Sequence, residues 1–244
     1  QWVAEKDWKI SRSFAVSAAL LARKSITLRL EDVDCFSDVY LNGQKVGETG
    51  NRFQRHDFDV KPFLKAGKNT IRVHFRSTEL ISYAEAKKYN REFHISNATV
   101  KKINLVRTVQ CHGGWDWGIT QMDTGLMGTV KLIAVDMARL DYVYTVQKFA
   151  PDYSSVEVEV TAEAFAPAAC RTAFKVRIGE SAESSMVELQ PGMNLVKKTV
   201  RIEHALMETS GHEHPVDPPR QVAGEREVVR PVSCIGRDFL HHGG

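Results

Sequence analysis

No two of the four cysteines, Cys35, Cys111, Cys170 and Cys234, form a CxxC pair. That excludes a zinc ribbon or a disulfide-dense secreted scaffold and leaves free thiols as the reading. No apolar run reaches the roughly 18 to 20 residues of a membrane helix, and no charged start followed by an apolar core marks a signal peptide. A basic block is missing too. The 33 Lys and Arg and 30 Asp and Glu are scattered along 244 residues, for a formal net charge of +3, so neither nucleic acid nor a membrane is an expected partner. These absences point to a soluble protein, cytoplasmic or periplasmic. The chain starts at Gln1 and not at Met, which leaves open a removed leader or a piece of a longer protein.

What is present is strand pattern. "SITLRLE" puts Ile26, Leu28 and Leu30 on one face, "NTIRVHF" does so with Ile71, Val73 and Phe75, and "GTVKLIAVD" with Val130, Leu132 and Ala134, each reading as a half-buried strand. Asn42-Gly43 between two short apolar runs is a two-residue hairpin signal, because both residues tolerate positive φ. One helix is expected, over "STELISYAEAKKYN" (77–90), with Ser77 as its cap and Leu80, Tyr83, Ala84 and Lys87 at helical spacing. The rhythm restarts after Asp136-Met137-Ala138. Four strands, "RLDYVYTVQKF", "SSVEVEVTAEAF", "RTAFKVRI" and "NLVKKTVRIE", separated by turn-like segments, read as a second, smaller sandwich. The fold class is therefore all-β: one β-sandwich over 1–136, an immunoglobulin-like β-sandwich over 139–203, and a tail over 204–244 without periodicity.

"TVQCHGGWDWGITQMDTG" (108–125) interrupts the first region with two tryptophans around one aspartate among four glycines. Such a segment is a shaped loop, and loops of that kind carry binding. A sugar offers an apolar ring face and a rim of hydroxyls, so an aromatic platform beside a carboxylate suits it. Trp115 and Asp116 supply both. The plainer alternative is that the tryptophans plug the end of a sandwich while Asp116 accepts loop amide hydrogens.

"DWKISRSFAV", "DVYLNGQKVGE", "KAGKNTIRVHF" and "QCHGGWDWG" resemble, in order and spacing, the amino-terminal sugar-binding domain of family 2 glycoside hydrolases, and within them the β-mannosidases. The resemblance spans about residues 1 to 203. It implies a jelly-roll, galactose-binding-like domain followed by an immunoglobulin-like one, and a β-mannoside oligosaccharide or glycoside as substrate. It also implies that no catalytic residue lies in this chain, since the family's catalytic carboxylates belong to a TIM barrel that follows. By the same resemblance Trp115 and Asp116 would bind the terminal sugar, and Gln110, Cys111 and Trp117 would support the loop.

No cofactor is expected and no metal. Asp32 and Asp34 form a D-x-D without the further oxygen ligands a cation needs, and are read as solvated acids. Arg52, Arg55 and His56 are read as facing solvent or an adjoining domain, and no G-x-S-x-G elbow suggests a serine hydrolase. His204, His212 and His214 sit in the tail without partner ligands at regular spacing. That tail is either a polar extension or out of frame. Shifted forward by one nucleotide, the codons of Met207, Glu208 and Thr209 must read tryptophan and then a basic residue, and L-W-K-P-A-G, close to the family's continuation, is allowed.

Overall fold

A computed structural model describes residues 2–89 and 99–203, and the backbone of 233–234. The chain divides into two compact units, Gln1–Val135 and Asp136–Gly244.

The first unit runs β1 (Trp8–Val16), α1 (Ala18–Leu21), β2 (Ser25–Leu30), β3 (Val33–Asp34), β4 (Ser37–Leu41), β5 (Gln44–Thr49), β6 (His56–Asp59), β7 (Gly67–Phe75), α2 (Thr78–Ala86), β8 (Gly125–Leu126) and β9 (Val130–Val135). A four-stranded sheet in the order β1-β7-β4-β5 and a three-stranded sheet in the order β6-β2-β9 enclose one core, with β3-β8 as a short ribbon. Ile26, Leu28 and Leu30 from one sheet meet Val39, Leu41, Val73 and Phe75 from the other, which is what alternating apolar residues on two facing strand sets must do. Strand β2 is buried on both faces, not one. Its second face holds Thr27 and Arg29, and Arg29 can be buried there because Nε and Nη2 donate to the two carboxylate oxygens of Asp57 at 2.7 and 2.6 Å.

The Asn42-Gly43 hairpin is present, with Leu41 paired to Gln44 and φ of +50° and +86° at the two turn residues. Helix α2 begins where its cap predicts, Ser77 Oγ accepting from Leu80 N at 3.0 Å. The helix's apolar spacing does not describe its seating. Thr78, Glu79 and Ser82 are buried, while Leu80 is 52% and Tyr83 38% exposed. Ser77 explains this: its N–H donates to Asp7 Oδ1 and its hydroxyl to Ala4 O, so the helix is tied down by its polar first turn, with Ile81 packed inward.

The second unit contains β10 (Arg139–Phe149), β11 (Ser155–Ala166), β12 (Cys170–Ile178), β13 (Ser181–Leu189), β14 (Gly192–Glu203) and the two-residue β15 (Ser233–Cys234). Sheets β10-β11-β14 and β13-β12-β15 share a core in which Val156, Val158, Val160 and Ala162 face Phe174, Val176 and Ile178. Both units are all-β sandwiches. Strand β13 is an addition to the four strands read from the sequence. "SAESSMVEL" carries too few apolar residues to announce itself, because it has a single strand neighbour and most of its side chains reach solvent. The tail 204–244, with His204, His212 and His214 and its reading-frame question, lies outside the described residues apart from the backbone of β15, which pairs with Val176 and Arg177. Among the described residues no helix is long and apolar enough to cross a membrane.

Candidate functional site

The aromatic loop rises from a small core of its own, Val100, Ile103 and Val106, packed with Phe36, Ile81 and Met122. Gln110 is the peg that fixes its rising limb. Its Nε2 donates to the carbonyls of Ile103, Val106 and Thr108 at 3.2, 3.3 and 3.0 Å. Across the loop, Val100 N donates to Gly113 O at 2.8 Å and Gln121 N to His112 O at 3.2 Å, so both limbs are laced together below the tip. Gly114 admits no substitute. Its φ is +108°, and a Cβ there would lie 2.7 Å from Thr99 N and 2.8 Å from Thr120 Oγ1.

Above that lacing the chain makes a tight turn, Trp115 to Gly118, closed by Gly118 N donating to Trp115 O at 3.4 Å. Trp115 is 40% and Trp117 82% exposed, and the two rings meet edge-on with centroids 5.5 Å apart. Asp116 between them is exposed, and its carboxylate has no hydrogen-bond partner among the described residues. The tip therefore offers two indoles and an uncommitted acceptor. Neither alternative of plugging a sandwich end or capping loop amides matches this geometry.

Trp117, expected to support the loop, stands free of it except for the edge contact with Trp115. Gln110 makes its three hydrogen bonds below the tip, and Cys111 is an exposed free thiol beside it.

The base of the loop is charged and buried. Asp34 is 1% exposed; Thr108 Oγ1 donates to its Oδ1 at 2.6 Å and Arg52 Nη1 to its Oδ2 at 2.9 Å. Arg52 Nε also donates to Asp32 Oδ1 at 2.8 Å. Asp34 and Arg52 are thus not solvated surface residues: they bind the strand before the loop to the loop itself, and Thr124 Oγ1 adds a bond to Asp34 O. His56, too, is buried, its Nε2 3.0 Å from Asn51 O. Burial pushes the Asp34 carboxyl above the ordinary aspartate range, against the pull of Thr108, Arg52 and His112. Burial, with Asp34 beside it, pushes the Cys35 thiol up to about 12, which makes it inert. His112 Nδ1 lies 3.5 Å from Asp123 Oδ2 and 3.9 Å from Asp34 Oδ2, buried and without a hydrogen-bond partner. Among the described residues no three His, Cys, Asp or Glu side chains are arranged to hold a metal ion.

Comparison with known proteins agrees with this architecture. A rat β-mannosidase is 24% identical over 83% of this chain, and an Emericella nidulans β-mannosidase B is 30% identical over 67%. A crystal structure of the Dictyoglomus thermophilum β-D-mannosidase superposes with a TM-score of 0.74 at 28% identity over 84% of the chain. An Amycolatopsis orientalis exo-chitosanase shares the fold, with a TM-score of 0.55 at 15% identity. The chain spans about a quarter of the rat protein (24%) and of the Dictyoglomus chain (25%), and 19% of the Emericella protein. Residues 1–128 match the profile described as the glycosyl hydrolase 2 galactose-binding domain-like family, and the chain belongs to that family.

Proposed function

We propose that this chain is the non-catalytic amino-terminal part of a β-mannosidase that hydrolyses terminal β-D-mannosyl residues with retention, and that its Trp115–Gly118 turn forms part of the sugar pocket. The supporting observation is the uncommitted Asp116 carboxylate held between two exposed indoles. Asp116 accepts hydrogen bonds from sugar hydroxyls while Trp115 covers the apolar ring face. Glycosidic bond cleavage with retention needs two carboxyls about 5 to 5.5 Å apart, one as acid/base and one as nucleophile. In this reading a TIM barrel domain outside these residues supplies that pair, and the loop holds the sugar against it. Gln110 and the Asp34–Arg52 base preorganise the loop, so that binding spends little free energy on ordering it.

The test is Asp116→Asn in the complete enzyme that contains this chain. Loss of a charge-assisted hydrogen bond lowers kcat/KM on an aryl β-mannoside by roughly 10- to 100-fold. Unchanged kcat/KM in that variant would refute the pocket role.

A further inference from the structure

A concavity lies in the first unit, and Trp115, Asp116, Trp117 and Gly118 are not among its walls. It is a groove of about 730 Å³ between the start of β1, the first turn of α2 and the 120–125 limb. That size suits a small molecule or a single long side chain. Trp8, Ile10, Phe75, Tyr83 and Met122 give it aromatic and apolar walls.

Its polar lining is one-sided. Glu79 and Asp123 both line the groove, and among the described residues no Lys, Arg or His does. Glu79 is 7% exposed, and its carboxylate has no hydrogen-bond or ion-pair partner among the described residues. A buried carboxylate left this way costs free energy that a compensating positive charge would recover. Burial, and then the negative charge of Glu5, raise the Glu79 carboxyl above the ordinary glutamate range, against a smaller pull from the chain's amino terminus. Trp8 and Tyr83 remain 37% and 38% exposed, and indole and phenol faces attract cations through their quadrupoles. A neutral ligand would satisfy the aromatic walls and leave Glu79 uncompensated.

We propose that this groove binds an organic cation, a guanidinium or ammonium group on a short apolar stem, with Glu79 as its counter-ion and Trp8 and Tyr83 as its aromatic walls. The cation is either a free small molecule or the side chain of an arginine or lysine on another polypeptide segment. The proposal is independent of the mannoside reading, since it uses different residues and a different probe.

The test uses the full 244-residue chain, titrated near pH 7.5 with n-butylguanidinium and, separately, n-butanol, following the Trp8 indole N–H by ¹H–¹⁵N NMR. The cation is expected to saturate the shift at a concentration at least ten-fold lower than the alcohol. Glu79→Gln, which removes only the charge, is expected to weaken the cation by ten-fold or more and leave the alcohol unchanged, and Tyr83→Leu to weaken the cation by several-fold. A Gly-Arg-Gly peptide distinguishes the two sources: binding as tight as n-butylguanidinium identifies a protein side chain, and rejection of the peptide identifies a free amine or guanidine. Equal binding of cation and alcohol, or an affinity for the cation unaffected by Glu79→Gln, would overturn the proposal.

Discussion

Both units enter a long strand through the same turn. In the first, Lys65-Ala66-Gly67-Lys68-Asn69 leads into β7; in the second, Gln190-Pro191-Gly192-Met193-Asn194 leads into β14. Each glycine has positive φ, +84° and +99°, and each asparagine folds back on the residue four before it. Asn69 Oδ1 accepts from Lys65 N at 3.0 Å and its Nδ2 donates to Lys65 O at 2.7 Å; for Asn194 and Gln190 the distances are 2.8 and 2.9 Å. Only G-x-N is common to the two five-residue segments, so the shared structure comes from one conformationally free residue and one side-chain amide. The difference lies in what surrounds the turn. Asn69 is 1% exposed and also accepts from Asn42 Nδ2 at 2.8 Å, whereas Asn194 reaches only a carbonyl, Ala164 O, at 3.3 Å and stays half-exposed. The first unit is cross-linked between its hairpin and its turn, and it is the one that carries the 99–125 loop. The second repeats the turn with no such excursion among its described residues.

Breaking the first unit's charged base should have the largest effect. Arg52→Ala leaves Asp34 buried without its cation and is expected to cost about 3 to 5 kcal/mol, read from urea denaturation followed by tryptophan fluorescence, since all four tryptophans lie in that unit. The asparagine pair sharpens the comparison directly. Asn69→Ala orphans buried partners and is expected to cost about 2 to 3 kcal/mol, while Asn194→Ala, partly open to water, should cost about 1 kcal/mol. Equal costs would mean that the Asn42 contact adds nothing.

Glu79→Gln should give the smallest change and the opposite sign. The folded-state pKa of Glu79 is raised, so its native contribution is intact in acid and is lost as pH rises from the ordinary glutamate value through the raised one. The variant is therefore expected to be slightly more stable than the parent at neutral pH, with the gain vanishing in acid. Paired denaturation curves at pH 7.5 and pH 4 check this, and a gain of equal size at both pH values would contradict it.

The strands, the Asn42-Gly43 hairpin and the Ser77 cap were legible because each depends on residues within a few positions of one another. Strand β13 was not, since an edge strand facing water on one side needs little apolar sequence. The loop base was legible only in fragments. Asp34 and Arg52 are 18 residues apart and Asp34 and Thr108 are 74 apart, and no local pattern shows that they meet. The seating of α2 was not legible, because the hydrogen bonds that Ser77 donates to Asp7 and Ala4 fix the helix by its cap and join residues 70 or more positions apart. At the aromatic tip the composition indicated an exposed, shaped loop. Composition did not separate Gln110, whose amide bonds three carbonyls, from Trp117, whose ring meets only Trp115.

The Asn42–Asn69 bond also bears on how the first unit assembles. Hairpins and short turns close within microseconds, so Asn42 and Asn69 are each presented by a local structure before β4 and β7 meet. When those strands pair, Leu41 must fall opposite Ile71 for the two amides to touch. A slip of one residue would reverse the faces of Val39 and Leu41 and part the amides in the same step. The two side chains thus act as a register gauge, a contact that forms only after the strands have aligned correctly.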